Sequence, residues 1–504
     1  MKTEKIQKRI IKGAGFAFVG SVSFAGMKYV QRLVLARFLA PERYGVFSLG
    51  LMVFMVSVSL GALGIQRGVN RFVPYYRAKD RQDLVKGTLI GGGAIALLSG
   101  LVFATGLFGL AEFLSLSVFN EPDLVGVVRI LCFAIPATIL LRVLIRALEG
   151  FKKVNYSMGV KNGEIFLRFF GILAVLLGGF GLLVVSGVFV FSAWLVVVVG
   201  VWVVNKRIFP LFNSEISLSV KFGQLLNYSW PLFLTGILNL VVGWTDTFML
   251  GYFSSSANVG VYNAALPTSR LMLLLLKSVS IIFLPLATEA FSRGEHERLE
   301  RIFTTSYRWV FLATLPVYLF LALFAQPIIV LMFGSSYVAG STVLVVLATG
   351  FFLSTLSGPA QKLFNSVGRT RLVLGLTFST ALANLVLNYI LVPRFGIMGA
   401  AIATATSLGL GSLLNLVFLY RITSLFPLNL FFLRPLIVGL ASVGGLYLFE
   451  KLLPVKISIW LIPLEVVVAL ALYGIGLYLT DSLKEEDQQL VLALLGAIKE
   501  KVGF

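Results

Sequence analysis

Long apolar stretches separated by short polar breaks dominate this 504-residue sequence. Only 13% of its residues are charged, which is about half of the share found in soluble domains, roughly 25%. A helix needs about 20 mostly apolar residues to cross a bilayer, and fourteen segments of the chain have about that length. The sequence therefore predicts an all-α polytopic membrane protein and excludes soluble enzymes, disordered chains and disulfide-bonded secreted folds.

The fourteen predicted spans are bounded by charged or turn-rich breaks. Their approximate limits are 13–38, 44–66, 86–110, 123–149, 155–178, 182–205, 222–252, 257–290, 303–326, 338–364, 372–393, 397–420, 432–450 and 457–480. Beyond them, apolar residues recur at helical spacing among charged ones in 481–504. This spacing predicts an amphipathic helix that lies on the cytoplasmic membrane surface.

Positive charge is concentrated in every second break. One set of alternating breaks carries 26 Lys and Arg residues, whereas the other set holds only four, namely Arg43, Arg394, Lys451 and Lys456. Cytoplasmic loops of membrane proteins are enriched in Lys and Arg, so both termini are expected in the cytoplasm. The same bias explains the net charge of +20 without a nucleic-acid partner.

Short matches at a nearly constant separation predict an internal repeat. The matched pairs are 38–47 with 253–262 and 180–181 with 395–396 at an offset of 215, and 72–74 with 283–285 at an offset of 211. Because six spans per repeat is an even number, both copies enter the membrane from the same side. Parallel repeats of this kind place the substrate site between them.

The repeat predicts two six-helix lobes with an appendix of two further helices. The predicted domains are an N-terminal lobe (1–210, spans 1–6), a C-terminal lobe (211–425, spans 7–12), two extra spans (426–480) and the amphipathic helix (481–504). The lobes are expected to be related by a pseudo-twofold axis along the membrane normal.

Three motifs carry a resemblance to a known family. They are Leu35-Ala36-Arg37-Phe38-Leu39 before Tyr44-Gly45-Val46-Phe47, Thr245-Asp246-Thr247-Phe248-Met249-Leu250-Gly251 before Val259-Gly260-Val261-Tyr262-Asn263-Ala264-Ala265, and Phe395-Gly396-Ile397-Met398-Gly399-Ala400-Ala401. The chain resembles the polysaccharide-biosynthesis (Wzx-type) oligosaccharide-lipid flippases of the multidrug/oligosaccharidyl-lipid/polysaccharide exporter superfamily. The resemblance implies a non-enzymatic transporter of the cell membrane that moves a polyprenyl-linked saccharide outward by alternating access.

Two other functions compete with this interpretation. An ion-coupled drug exporter of the same superfamily usually has twelve spans and is expected to have an acidic or apolar cavity. A membrane-embedded polymerase or glycosyltransferase needs a sizeable external loop, whereas the external breaks here are short. Expected partners are the lipid-linked oligosaccharide, the bilayer and polysaccharide-assembly enzymes, with the chain acting as a monomer.

The sequence offers little for metal or redox chemistry. Cys132 is the single cysteine and His296 the single histidine, so no disulfide and no histidine metal site are expected. No ATP-binding motif occurs, and transport is therefore expected to use an ion gradient, with Na⁺ or H⁺ as the coupling ion, the membrane potential or the cargo gradient.

Twelve cations lie in or at the edges of the predicted spans, against three comparably deep acids. A charge inside the hydrocarbon costs about 2.5–3.5 kcal/mol on insertion scales, so it usually faces a cavity or a partner. An excess of cations suits an anionic cargo such as a lipid-linked pyrophosphate. The predicted substrate-binding cations are Arg270, Lys28, Arg32, Lys277 and Arg168.

Several other intramembrane side chains keep two interpretations each. Five cations closer to a cytoplasmic end either face the cavity or extend to the membrane interface; they are Arg142, Arg146, Lys161, Arg308 and Lys362. Lys161, Glu164 and Arg168 share a helix face, either as a salt-bridge ladder or with Arg168 free to bind cargo.

Asp246 and three asparagines complete the predicted site. Asp246 corresponds to Gln31, next to Arg32, at the repeat offset. It is therefore expected at a depth similar to that of Arg32 but in the opposing lobe, as a coupling-ion ligand, a gate paired with Arg32 or a structural pair. The possible sugar contacts are Asn263, Asn384 and Asn388, for which hydrogen bonding between helices is the alternative use.

Overall fold

The computed structural model describes residues 2–423, 432–452 and 461–482, and the regular elements in these ranges are all helices. The predicted all-α class is therefore confirmed. Most of the predicted amphipathic helix, residues 483–504, lies outside the described residues.

The first nine helices end at Ser269. They are α1 (Lys2–Gly61), α2 (Ile65–Arg77), α3 (Gln82–Glu112), α4 (Asp123–Cys132), α5 (Ala134–Gly150), α6 (Val154–Leu177), α7 (Leu182–Arg207), α8 (Phe222–Phe253) and α9 (Ser256–Ser269). A π-helical turn, Phe113–Val118, extends α3.

The remaining described helices follow a break of two residues. They are α10 (Met272–Ser292), α11 (His296–Leu323), α12 (Ala325–Phe333), α13 (Gly340–Ser366), α14 (Thr370–Thr423), α15 (Leu433–Gly439), α16 (Gly445–Leu452) and α17 (Ile462–Leu479). A π-helical turn, Leu440–Gly444, joins α15 to α16.

Seven helices of the described chain are long and apolar enough to cross a membrane, or eight if α4 and α5, bent by 44°, form one span. The chain is thus a multi-pass membrane protein. The 54 residues of α14 would reach about 80 Å if straight, far beyond the roughly 30 Å hydrocarbon thickness. Non-helical backbone interrupts α14 at Gly396 and α1 at Ala40, both between predicted spans; the count of fourteen stays a prediction.

The chain divides into two compact units. The first contains the residues up to Ala264 together with Val392–Ile397, and the second contains Ala265–Leu391 and the part that begins at Met398. In the first unit α5 packs on α7 through a buried apolar cluster that includes Leu144 and Val197. The predicted lobe limits at 210 and 425 stay predictions.

Two glycines of the first unit make a reciprocal contact that follows the repeat offset. A Cβ atom on Gly45 would overlap the carbonyl oxygen of Ser256, and a Cβ atom on Gly260 would overlap that of Pro41. The offset of 215 relates Pro41 to Ser256 and Gly45 to Gly260. Such an exchange of equivalent contacts is what a twofold-related pair of segments produces, and it requires glycine because the backbones touch.

Candidate functional site: a cationic cavity in the first unit

A cavity of about 320 Å³ lies between α1, α5 and α6, with single residues from other helices of the first unit. Its charged lining residues are Lys28, Arg32, Arg142, Lys161, Arg168 and Glu164. Five cations against one carboxylate make this site, called the cationic cavity below, strongly positive. Low-dielectric walls strengthen the resulting field compared with the same charges in water.

Helical spacing explains how two of the helices supply these charges. Lys28 and Arg32 are four residues apart on α1, and therefore share one face. Lys161, Glu164 and Arg168 follow at spacings of three and four on α6, which also places them on one face. Each helix thus presents a charged stripe to the cavity.

Arg168 contacts an acid, a hydroxyl and an aromatic ring around the cavity. It forms an ion pair with Glu164, and its Nε donates a hydrogen bond to Oγ of Ser192 at 3.4 Å. Its guanidinium carbon lies 4.3 Å from the ring centroid of Phe189. The salt-bridge interpretation of this helix face is consistent with that geometry, while the guanidinium still lines the cavity.

Arg142 and Lys161 also line the cavity, although their sequence positions left a place at the membrane interface as an alternative. Nη2 of Arg142 lies 3.8 Å from Sδ of Met55, and Nζ of Lys161 lies 4.4 Å from the ring centroid of Phe24. The shared stripe with Arg168 was the available signal for Lys161. Nothing comparable in the sequence marks Arg142.

Lys28 and Arg32 differ from the other cavity cations in their contacts. Among the residues that the structure describes, neither makes a hydrogen bond or an ion pair. Two cations on one helix turn without a counter-ion repel each other. Their donors are therefore available to an anionic ligand.

The neutral part of the lining is aromatic and polar. The aromatic side chains are Phe24, Phe47, Phe54, Phe189 and Trp244. The polar neutral side chains are Gln31, Tyr44, Ser48, Thr138 and Asn263. Aromatic rings next to polar groups suit a ligand that is partly apolar and partly hydroxylated.

Asp246 is buried, with 7% of its surface exposed, and accepts a hydrogen bond from Oη of Tyr262 at 2.6 Å. The adjacent Thr247 donates to Oδ1 of Asn263 at 3.3 Å. These bonds join α8 to α9 beside the cavity, because Asn263 also lines it. The predicted roles of Asp246 in ion binding or in a pair with Arg32 stay predictions.

Arg270 and Lys277 belong to the second unit and are not among the described residues that line the cationic cavity. Arg270 lies in the break between α9 and α10, three residues after Pro267, and its guanidinium carbon is 5.6 Å from the ring centroid of Phe351. Lys277 is exposed on α10. The role of both residues as substrate-binding cations stays a prediction.

Asn384 and Asn388 are buried in α14 of the second unit. Nδ2 of Asn384 donates to Oγ1 of Thr404 at 3.1 Å, across the interruption at Gly396. Nδ2 of Asn388 donates to the carbonyl oxygen of Asn384 at 2.9 Å. The bond of Asn384 fits the alternative of hydrogen bonding between helices, whereas the bond of Asn388 lies within one helical turn. Sugar contacts at both positions stay a prediction.

Two family models match this chain. The model described as "Polysaccharide biosynthesis protein" matches residues 10–291, which is more than half of the sequence. A second model, MatE, matches residues 231–390.

In the described ranges, no group of three or more His, Cys, Asp or Glu side chains is arranged to hold a metal ion.

Curated relatives are similar over different shares of the chain. An uncharacterized membrane protein of Methanocaldococcus jannaschii is 23% identical over 87% of this chain and 89% of its own length. A probable low-salt glycan biosynthesis flippase of Haloferax volcanii is 27% identical over 42% of this chain and 46% of its own. A putative O-antigen transporter of Shigella flexneri is 22% identical over 75% of this chain and 90% of its own length.

Solved structures share the fold. The lipid II flippase MurJ in its inward closed conformation matches with a TM-score of 0.74 and 14% identity, over 92% of this chain and 97% of that one. An inward-facing multidrug resistance MATE family transporter matches with a TM-score of 0.69 and 16% identity, over 79% of this chain and 94% of that one. With the family model matching residues 10–291, this multi-pass membrane protein belongs to the polysaccharide biosynthesis protein family.

Proposed function

We propose that the chain is a membrane transporter that flips a polyprenyl-(pyro)phosphate-linked oligosaccharide from the cytoplasmic to the outer leaflet. Alternating access of the two lobes, 1–210 and 211–425, would carry the cargo for assembly of a surface polysaccharide or glycan. The observation that supports this best is the cationic cavity, with five cations and one carboxylate. Relatives named as a glycan biosynthesis flippase and an O-antigen transporter support the same class of cargo.

The charges of the cavity favour a phosphorylated headgroup over a neutral or cationic one. Lys28 and Arg32 have donors without partners among the described residues, and arginine binds phosphate oxygens through two parallel hydrogen bonds. A bound pyrophosphate would also relieve the repulsion among the five cations. In the second unit, Arg270 and Lys277 are proposed to contact the same anionic group at another stage of transport.

Transport assays in proteoliposomes test this function. The probe is a fluorescent polyprenyl-pyrophosphate-linked disaccharide, and the readout is the fraction that a membrane-impermeant quencher reaches with time. We expect the protein to accelerate exchange of this probe, but not of the same polyprenyl disaccharide without phosphate. Equal acceleration of both lipids, or of neither, would contradict the proposal.

The match of the MatE model favours an ion-coupled exporter of small molecules as a second candidate. The positive lining of the cationic cavity repels organic cations, which argues against such cargo. Gradient-driven uptake of a fluorescent organic cation by the same vesicles, without lipid exchange, would favour this second candidate.

Coupling to Na⁺ or H⁺ is proposed to involve Asp246. Because Asp246 accepts a hydrogen bond from Tyr262 and Arg32 makes no ion pair in the described chain, we expect Asp246→Asn to remove the dependence of transport on an imposed ion gradient. Arg32→Ala in the same background should not restore it. Tyr262→Phe, which keeps the carboxylate and removes its hydroxyl donor, is the control.

The opposite result would identify a gate. If Asp246 pairs with Arg32 in another state, each single variant leaves a buried charge unpaired, which typically costs several kcal/mol. The double variant would then recover part of the gradient response that either single variant loses. Wild-type behaviour in all variants would leave Asp246 without a role in transport.

Both termini are proposed to lie in the cytoplasm of a cell that holds this protein in its plasma or inner membrane. In a Cys132→Ser background, a cysteine at exposed Ser255 should react with a membrane-impermeant maleimide from outside, whereas one at exposed Ser292 should react only after permeabilisation. The reverse pattern would overturn the proposed orientation.

The transporter is proposed to work as a monomer that delivers cargo to polysaccharide-assembly enzymes.

A further inference from the structure

One polar side chain of the cationic cavity has no partner within the described chain. Gln31 on α1 is 5% exposed, and its Oε1 makes no hydrogen bond. No described residue bonds its Nε2 either. Among the described residues neither amide atom has a partner, so one donor group and one acceptor remain unused whichever way the oxygen and nitrogen are assigned.

The internal repeat explains why this partner is missing. At the offset of 215, Gln31 corresponds to Asp246 and Phe47 corresponds to Tyr262. The hydroxyl of Tyr262 donates to Asp246, but Phe47 has no hydroxyl to offer Gln31. The first copy of the repeat thus has a polar group without the side chain that would satisfy it.

Neighbouring polar groups of the lining are already engaged. Oγ of Ser48 donates to the carbonyl oxygen of Tyr44 at 2.7 Å, and Nδ2 of Asn263 donates to that of Val259 at 3.0 Å. A buried polar group without a hydrogen bond loses its hydration without compensation. Within the described chain, Gln31 therefore has a donor and an acceptor that a ligand group can use.

We propose, on the basis of the function proposed above, that Gln31 recognises a neutral hydrogen-bonding group on the sugar next to the phosphate. An ionised pyrophosphate has only acceptors and leaves Oε1 of Gln31 unsatisfied. A sugar hydroxyl or acetamido group has both a donor and an acceptor. Gln31 is adjacent in sequence to Arg32 and three residues from Lys28, which places sugar recognition directly beside these two cations.

Aromatic side chains provide the second element of a sugar site. Phe47 and Trp244 line the same cavity as Gln31, and such rings pack against the apolar faces of amphipathic ligands. A cavity for pyrophosphate alone has no need of these surfaces. Gln31 is therefore proposed to select the saccharide part of the cargo rather than the pyrophosphate.

The test compares three lipid probes in proteoliposomes of the full chain. One polyprenyl pyrophosphate carries a 2-acetamido sugar, one carries the corresponding 2-hydroxy sugar, and one carries no sugar. Wild-type protein should move at least one sugar probe faster than the bare lipid. Gln31→Leu should reduce that preference, measured as the ratio of the sugar-probe rate to the bare-probe rate, about tenfold, as expected for loss of one hydrogen bond in a buried site.

A second variant keeps the inference testable if Gln31→Leu folds poorly. Phe47→Tyr, which copies the Asp246–Tyr262 bond, gives Gln31 a partner within the protein and should also weaken sugar preference, with unchanged thermal stability. An equal effect of either variant on all three probes would show a structural role instead. If wild-type protein moves all three probes equally, only this inference fails; if it moves none, the proposed function fails.

Discussion

Replacing both Lys28 and Arg32 by alanine is expected to reduce transport of a polyprenyl-pyrophosphate-linked saccharide by about 100-fold or more. Each hydrogen bond to a charged group contributes about 1.5–3 kcal/mol, and about 1.4 kcal/mol corresponds to a factor of ten. Because neither side chain has a partner in the described chain, the substitutions break no bond within it. The thermal stability of the double variant, measured together with its transport rate, should therefore stay at the wild-type value.

A matched double variant controls for the lost charge. Lys206→Ala with Arg207→Ala removes two exposed cations at the end of α7, outside the cavity, and should leave transport unchanged. Arg32→Lys should keep part of the activity, since lysine retains the charge but lacks the planar fork of arginine. Full transport by the Lys28→Ala/Arg32→Ala variant would remove the cationic cavity from the proposed pathway.

Gly45→Ala and Gly260→Ala are each expected to destabilise the protein and to slow transport strongly. The added methyl group would overlap a backbone carbonyl oxygen rather than a flexible side chain, so the two segments must move apart. Overpacking of this kind typically costs about 1–3 kcal/mol. Because the two glycines share one contact, the double variant should lose less than the sum of the single losses.

Thermal unfolding in detergent, followed by intrinsic fluorescence, provides the measurement. Gly159→Ala on α6 is the control, because a Cβ atom there meets nothing within 4 Å and alanine favours a helix over glycine by about 1 kcal/mol. It should be neutral or stabilising. Unfolding temperatures at or above wild type for Gly45→Ala and Gly260→Ala would contradict the reciprocal backbone contact.

Sequence patterns predicted the helices and several of their interruptions. Apolar runs identify transmembrane helices because the hydrocarbon offers no hydrogen-bond partners, so the backbone N–H and C=O groups must bond to each other within a helix. The breaks at Ala40 and Gly396 fall between predicted spans for the same reason. A break also follows Pro267, whose ring removes a backbone donor.

The lining of the cavity was less accessible to prediction. Spacing shows which residues share a helix face, but not which neighbour that face meets. Arg142 and Arg146 lie one turn apart on α5, yet Arg142 lines the cavity while Arg146 forms an ion pair with Glu149. The sequence also does not show that the amide of Gln31 lacks a partner in the described chain, because only packing shows which side chains an amide meets.

The interruption of α1 at Ala40 has a mechanical consequence. Its φ of 60° and ψ of 165° lie in a region that non-glycine residues seldom occupy, and such strain is kept where the surrounding structure enforces it. Arg32 is eight residues away, about 12 Å along the helix. A rotation of about 10° around Ala40 would carry the guanidinium through about 2 Å, enough to make or break a hydrogen bond. In the proposed function, a small change in the backbone contact of Pro41 and Gly45 would therefore change the distance between Arg32 and a bound anion.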